Sequence, residues 1–225
     1  MPSSSYLQHA QILDSALPIG AFSHSFGLET FVVQDEIRSV HQLEEFLRGA
    51  LYGAWSSCDA LQIKAVWTLN EPQIWELDAL LDASRVSRET REGMRKMGRQ
   101  ALKLARAIHP HLDFSPLEVA VQNEKCIGSW PLVYGWWTRG LGIELDVSAT
   151  GYLYGCCASS VNNAVRLSVV GQTAAQKLLA SFTDEIEVAW KNVEARDPFD
   201  FSSALPALEI AQMQHEWLDS RLFMS

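Results

Sequence analysis

Ser39-Val40-His41-Gln42-Leu43-Glu44-Glu45-Phe46-Leu47-Arg48-Gly49-Ala50-Leu51-Tyr52-Gly53-Ala54-Trp55 is the stretch that decides the fold class of this chain. Val40, Leu43, Phe46, Leu47, Ala50, Leu51, Ala54 and Trp55 recur at spacings of three and one. That repeat places them on one face of a helix with 3.6 residues per turn. Ser39 followed by Gln42 has the form of a capping box, which satisfies amide donors left free at a helix start. The pattern runs on from Asp59 to Leu69, stops at Asn70-Glu71-Pro72 and restarts from Gln73 to Leu81.

The same reading holds on both sides of this stretch. Tyr6 to Ala16 and Ser87 to Ile108 are helical candidates. Ser115-Pro116-Leu117-Glu118 opens another with a cap and a first-turn proline. Trp130-Pro131 marks a break before the apolar Leu132 to Leu141. A long helix spans about Asp146 to Val170, stopped by Gly171, with Gly151, Gly155 and Ser159 on one face where a second helix can approach, inside the bundle or across a dimer. Leu178, Leu179, Phe182, Ile186, Ala189 and Trp190 define a further helix, and Pro206 to Trp217 a last short one. No alternating run of β-branched residues appears, so the chain is predicted to be all-α, a single-domain bundle of about eight to ten helices.

Composition narrows the function. The net charge of -9 argues against a nucleic-acid partner, because phosphate binding rests on Lys and Arg. No charged-then-apolar leader and no apolar run of membrane-spanning length is present, so a cytoplasmic protein with no membrane partner is expected. Cys58, Cys126, Cys156 and Cys157 show no C-x-x-C spacing and read as free thiols. Charge is unevenly spread. From Arg85 to Arg106 eight cationic residues (Arg85, Arg88, Arg91, Arg95, Lys96, Arg99, Lys103 and Arg106) face only Glu89 and Glu92, a net of +6 that leaves -15 on the rest. Such a face is either solvated and paired to nearby acids or turned towards an acidic partner.

Catalytic patterns are not found. There is no phosphate-cradling Gly-rich loop with a following Lys and Ser/Thr. Ser23-His24-Ser25-Phe26-Gly27 lacks the preceding Gly and the feeding strand of a nucleophile elbow. For a metal, His109 and His111 flank Pro110 and fit a polar helix end better than a chelate. Cys156-Cys157 point about 100° apart on a helix, and His24 alone is not a site. No catalytic residue, metal ligand or cofactor is predicted.

Four separated motifs carry a resemblance. Leu17-Pro18-Ile19-Gly20-Ala21-Phe22-Ser23-His24-Ser25-Phe26-Gly27-Leu28-Glu29 is an apolar turn that interrupts helical sequence. Ala83-Ser84-Arg85-Val86-Ser87-Arg88-Glu89-Thr90-Arg91-Glu92 runs into Lys96-Met97-Gly98-Arg99-Gln100. Arg166-Leu167 precedes Gly171-Gln172-Thr173 and Gln176, and His215-Glu216 precedes Ser220-Arg221-Leu222-Phe223-Met224-Ser225. In this order they resemble the UreF family of urease accessory proteins over nearly the whole chain. Val169-Val170 stands where the family commonly has Pro-Leu, and Trp217 and Asp219 interrupt the usual tail.

The resemblance implies an all-α, dimerising, non-catalytic protein that joins UreD and UreG on apo-urease. There it assists nickel insertion and lysine carbamylation, while UreG hydrolyses GTP. It implies a partner-binding tail over about 215–225 (His215, Glu216, Ser220, Arg221, Leu222 and Phe223), with Arg85, Arg88, Arg91, Arg95, Gln172 and Thr173 as further assembly surface. Gln172 and Thr173 could equally cap the helix they precede. The N-terminus and the tail are both expected to be mobile in the free protein, so that deleting the tail leaves melting nearly intact. The rival reading is a nickel-carrying metallochaperone with its own site.

Overall fold

In the computed structural model, which describes residues 3–225, the stretch from Val40 to Thr68 is one continuous helical rod. It begins as α3 (Val40–Ala50), widens into a π-helical stretch over Leu51–Ala60 and closes as α4 (Leu61–Thr68). Ser39 Oγ accepts the Gln42 amide at 3.3 Å, but the Gln42 side chain takes the Arg38 N–H, one residue before the expected box donor. The π stretch is docked by a later loop: the amides of Ala204 and Ser202 donate to the carbonyls of Gly53 and Ser57. A π turn shifts the phase of the side chains beyond it, and here Asp59 is buried in the protein interior.

Around the rod stand α1 (Ser3–Leu13), α2 (Leu28–Val33), α5 (Glu71–Ser84), α6 (Arg88–Ile108), α7 (Ser115–Gln122), α8 (Trp130–Gly140), α9 (Leu145–Arg166), α10 (Gln172–Ser181), α11 (Thr183–Val193) and α12 (Pro206–Gln214). Among the described residues there is no strand, and the chain is an all-α single-domain bundle. Its apolar interior has two lobes. Ile63 and Val66 of the rod pack with Leu77, Ala101, Val133 and Trp137 in one; Leu43 and Leu47 pack with Leu153, Val161, Leu179 and Trp190 in the other. The rod and α9 contribute to both lobes and form their common wall.

Several boundaries differ from the sequence reading. Asn70 caps α5 with a complete capping box to Gln73, so the helix begins at Glu71. Ser115 is inside α7 and its own amide donates to Asp113, which therefore supplies the cap. Trp130 and Pro131 form the first turn of α8 and do not break it, since proline lacks only a donor that is free there anyway. Ser168, with φ 61, ends the long helix near Arg166, and Gly171 starts α10 instead of stopping α9. Phe182 splits the next apolar pattern into α10 and α11. These splits bring the count among the described residues to twelve α segments. The small-residue face of α9 is filled from within the chain: a Cβ on Gly151 would lie 2.5 Å from the His9 ring, and one on Gly155 3.8 Å from Leu13. The first two residues, part of the N-terminus expected to be mobile, lie outside the described residues.

Candidate partner-binding site

The apolar turn after α1 is shaped by backbone that most residues avoid. Gly20 (φ 89), Phe26 (φ 51) and Gly27 (φ 96) are all left-handed. Glycine bears that geometry without strain, and at Gly27 a side chain would also meet Gln212 and Leu208 of α12. Leu28 is fully buried, whereas Phe22 is exposed and stacks on a cation. The guanidinium of Arg166, at the end of α9, lies 3.8 Å from the Phe22 ring centroid and 4.2 Å from that of Phe223. It also donates to the Phe22 carbonyl at 2.6 Å.

The last residues of the chain lie in the cradle this turn makes. Ser25 and Phe26 amides donate to Ser225 O at 2.5 and 3.1 Å, and Ser25 Oγ donates to it at 2.8 Å. Met224 N donates to Ser23 O at 2.7 Å. Ser225 Oγ and His24 Nδ1 are hydrogen-bonded at 2.7 Å. The buried Glu29 carboxylate accepts the amides of Leu222 (2.6 Å) and Phe223 (3.2 Å). Consecutive amides aimed at one oxygen form a concavity suited to negative charge or a carbonyl.

A charged cluster fastens this segment further. His215, fully buried, sits between Glu29 (Nε2, 2.8 Å) and Glu89 (Nδ1, 2.7 Å), and Arg221 reaches Glu89 at 2.7 Å. Arg88 pairs with Glu216 at 2.8 Å. The tail is thus clamped, contrary to the expectation that it hangs free. The reason is that Phe223, 4% exposed, finds burial on the body of its own chain. His24 is held neutral: burial, then the neighbouring Lys96 charge, lowers it to about 4.

The predicted site residues therefore divide. His215, Glu216, Arg221, Leu222, Phe223 and Arg88 come together with the signature turn and Arg166, and Ser220 lies on the bend between His215 and Arg221. Arg85 does not join them. Its guanidinium is buried against Asp59 (2.8 Å), whose other oxygen accepts the Tyr152 hydroxyl at 3.0 Å. Burial pushes the Asp59 carboxyl up, and Arg85 and Tyr152 oppose that shift. Arg91 donates to the carbonyls of Arg85 and Val86, and Arg95 forks onto the buried Asp82. Gln172 and Thr173 are exposed at the start of α10, far along the chain from these contacts, and neither side chain caps the helix.

Sequence reasoning missed Glu29, Glu89 and Arg166. A carboxylate in an otherwise apolar turn was the available signal for Glu29. Ser23, His24 and Ser25 are not arranged as nucleophile and base, because His24 and Ser25 are both engaged with Ser225. His109 Nδ1 accepts the Trp137 indole N–H at 3.0 Å inside the core. Burial pushes the thiols of Cys58 and Cys157 up to about 11 and about 12. Among the described residues no three His, Cys, Asp or Glu side chains converge as a metal ligand set, and no helix is long and apolar enough to cross a membrane.

What fold and site define is an all-α protein whose C-terminal tail is tied to the turn after α1 and to α6 at one charged clasp. A family model for UreF matches residues 37–183. The urease accessory protein UreF of Arthrobacter sp. (strain FB24) is 34% identical over 215 residues, covering 96% of this chain and 95% of that protein. That of Paenarthrobacter aurescens (strain TC1) is 32% identical over 225 residues and covers both chains fully. That of Streptococcus salivarius (strain 57.I) is 30% identical over 224 residues, 98% of this chain and 94% of that one. The chain belongs to the UreF family of urease accessory proteins.

Proposed function

We propose that this protein is a non-catalytic bridge in urease maturation, acting in the cytoplasm as a homodimer with UreD and the GTPase UreG on apo-urease, where it assists nickel insertion. Family membership supports urease maturation as the setting. The observation that carries the bridging role is the clasp itself. Three of the four family-like motifs, with Arg166 of the remaining one, meet at one surface site that holds backbone and charge in place and offers no paired nucleophile and base. Glu216, Ser220, Arg221 and Leu222 of the tail, with Arg88, are the partner-facing set, and the buried His215 and Phe223 hold the tail in place. Arg85, Arg91 and Arg95 serve it indirectly by holding the junction between α5 and α6.

Reconstitution tests the reading. Apo-urease, UreD, UreG, nickel, bicarbonate and GTP are combined with and without this chain, and urease activity and bound nickel are measured. Both should rise only with the chain present, and the chain alone should hydrolyse no GTP. Full activation without it, or a stoichiometric nickel site on the isolated protein at micromolar affinity or about 8 kcal/mol of binding, would sink the proposal in favour of a dispensable factor or a carrier.

A further inference from the structure

Between the π stretch of the rod, the α5–α6 junction and α9 lies a cavity of about 210 Å³. Ile12, Leu81 and Met97 give it apolar walls, and Trp55, Trp130 and Tyr134 give it aromatic ones. Phe22 and Val86 line it and are also exposed to solvent, so it has an opening. Ala54, Trp55, Cys58 and Asp59 of the π stretch form one side, and such widened turns recur at functional sites. Tyr152 joins the aromatic wall to the charged one: its ring lies 5.3 Å from that of Tyr134, and its hydroxyl donates to Asp59. Two polar groups of this lining are incomplete. Arg85 Nη1 and Thr90 Oγ1 are buried and have no hydrogen-bond partner among the described residues, and both residues line the cavity. A buried donor without an acceptor is costly, and a native fold ordinarily avoids it.

We propose that this cavity binds a small uncharged aromatic amide or ketone, its ring among Trp55, Trp130 and Tyr134 and its carbonyl oxygen accepting from Arg85 and Thr90. The inference goes beyond the bridging role and does not depend on it. Size sets the scale: an apolar cavity of about 150 Å³ holds benzene, so this one suits about eight to ten non-hydrogen atoms. Aromatic walls favour a ring, because ring pairs gain attraction beyond the area they bury. Water is a poor occupant beside the apolar walls, since each molecule needs several polar partners. Charge decides the head group. Arg85 Nη2 already meets Asp59 at 2.8 Å, so the pair sums to zero. A ligand carboxylate would face Asp59 as a like charge, a ligand ammonium would face Arg85, and either would lose its hydration. A neutral carbonyl forfeits least and supplies the acceptor that both orphan donors lack. The Thr90 hydroxyl hydrogen rotates to suit it.

Calorimetry of the full chain tests this with four probes of similar size: benzamide, benzoate, benzylamine and ethylbenzene. Benzamide should bind at one site with a Kd below about 1 mM, within reach of a molecule that small. Benzoate and benzylamine should bind at least about tenfold more weakly, because their charges are uncompensated there. Thr90→Val keeps the shape and removes the orphan hydroxyl, so its melting temperature should not fall. It should weaken benzamide about fivefold and leave ethylbenzene, which has no acceptor, within about twofold of its wild-type affinity. Ala54→Phe narrows the cavity and should abolish binding of both. Absence of saturable benzamide binding to the wild type would overturn the inference. So would a charged probe binding as tightly as benzamide, benzamide and ethylbenzene responding alike to Thr90→Val, or wild-type benzamide affinity in Ala54→Phe. If Ala54→Phe does not fold, the Thr90→Val comparison decides alone. No partner protein enters these measurements, so their failure is distinct from failure of the bridging role.

Discussion

Two buried charge clusters in this molecule use the same chemistry to different ends. In one, Arg85 bridges from the α5–α6 junction to Asp59 of the π stretch, with Tyr152 of α9 closing the other side. In the other, His215 and Arg221 of the tail lie against Glu29 of α2 and Glu89 of α6. The first is enclosed by the rod, α9 and the wall of a cavity of about 210 Å³ that also exposes Trp55 and Met97 to its interior. One Arg85 nitrogen there, Nη1, has no hydrogen-bond partner among the described residues. The second opens to solvent along Arg221, whose side chain is 38% exposed. An enclosed pair can part only if helices separate. A pair at the end of the chain can part by movement of the tail alone. Desolvation makes both clusters costly to break, but only the second can be opened without unfolding the bundle.

The largest effect should come from breaking the enclosed pair. Asp59→Ala leaves the Arg85 guanidinium buried without a counter-charge and should cost about 3–5 kcal/mol in urea denaturation. Replacing both, Asp59→Leu with Arg85→Met, should recover most of that loss. A single-variant cost under about 1 kcal/mol would mean that the pair is effectively solvated.

Removing His215 to Ser225 comes next. It uncovers the site of Phe223 and strips Glu29 and Glu89 of their His215 and Arg221 hydrogen-bond partners, so a loss of about 3 kcal/mol and a clear drop in melting temperature are expected. The tail would be no more than an adhering end if melting were unchanged.

Acid offers a gentler way to loosen the tail, through His24 at its last residue. The folded state holds His24 at about 4 against an unfolded value near 6.5, so the unfolded chain binds the extra proton between those limits. Stability from this group is therefore complete above about pH 6.5 and is lost as pH falls towards 4, a difference of roughly 3 kcal/mol. Glu29, Glu89, Lys96 and His215 all lie around this site, so the comparison is with His24→Gln, which should flatten the slope in that window. An equal slope in the variant would assign it to the carboxylates.

The smallest effect is a control. Arg88 and Glu216 pair beside the tail cluster, but the Arg88 side chain is 64% exposed. Arg88→Ala should leave the denaturation midpoint nearly unchanged, measured alongside the tail deletion. A loss comparable to the deletion would make the tail joint a surface network and erase the contrast with the enclosed pair.

Helix type and family were legible from the residues because each rests on order along the chain. The apolar stripe from Val40 to Trp55, the Ser39 cap and the four ordered motifs need no knowledge of what lies across the bundle. The cationic run of α6 was legible only as a count. Its sequence is equally consistent with a solvated face, an acidic partner or internal pairs, and the answer differs from one residue to the next. Arg85 is buried, Arg95 is bound to Asp82, and Lys96 is free of any near carboxylate among the described residues. Phe223 misled for a related reason. Near a chain end an apolar side chain signals a need for burial without saying which surface supplies it.

By itself the sequence determined an all-α bundle, most of its helix starts apart from α2 and the α10–α11 division, and membership of the UreF family. Those follow from hydrophobic periodicity, capping and motif order, all set by residues within a few turns of one another. Only the tertiary structure decided that the tail is clasped, that Glu29 and Arg166 hold it, and that Leu222 and Met224 face outward while Phe223 does not. Glu29 and His215 are 186 residues apart and Phe223 reaches Arg166 from another helix, so their contact depends on how the whole bundle closes. Which side of an extended tail is buried is settled by the register in which its amides meet Glu29 and its last carbonyl meets the turn at Ser25.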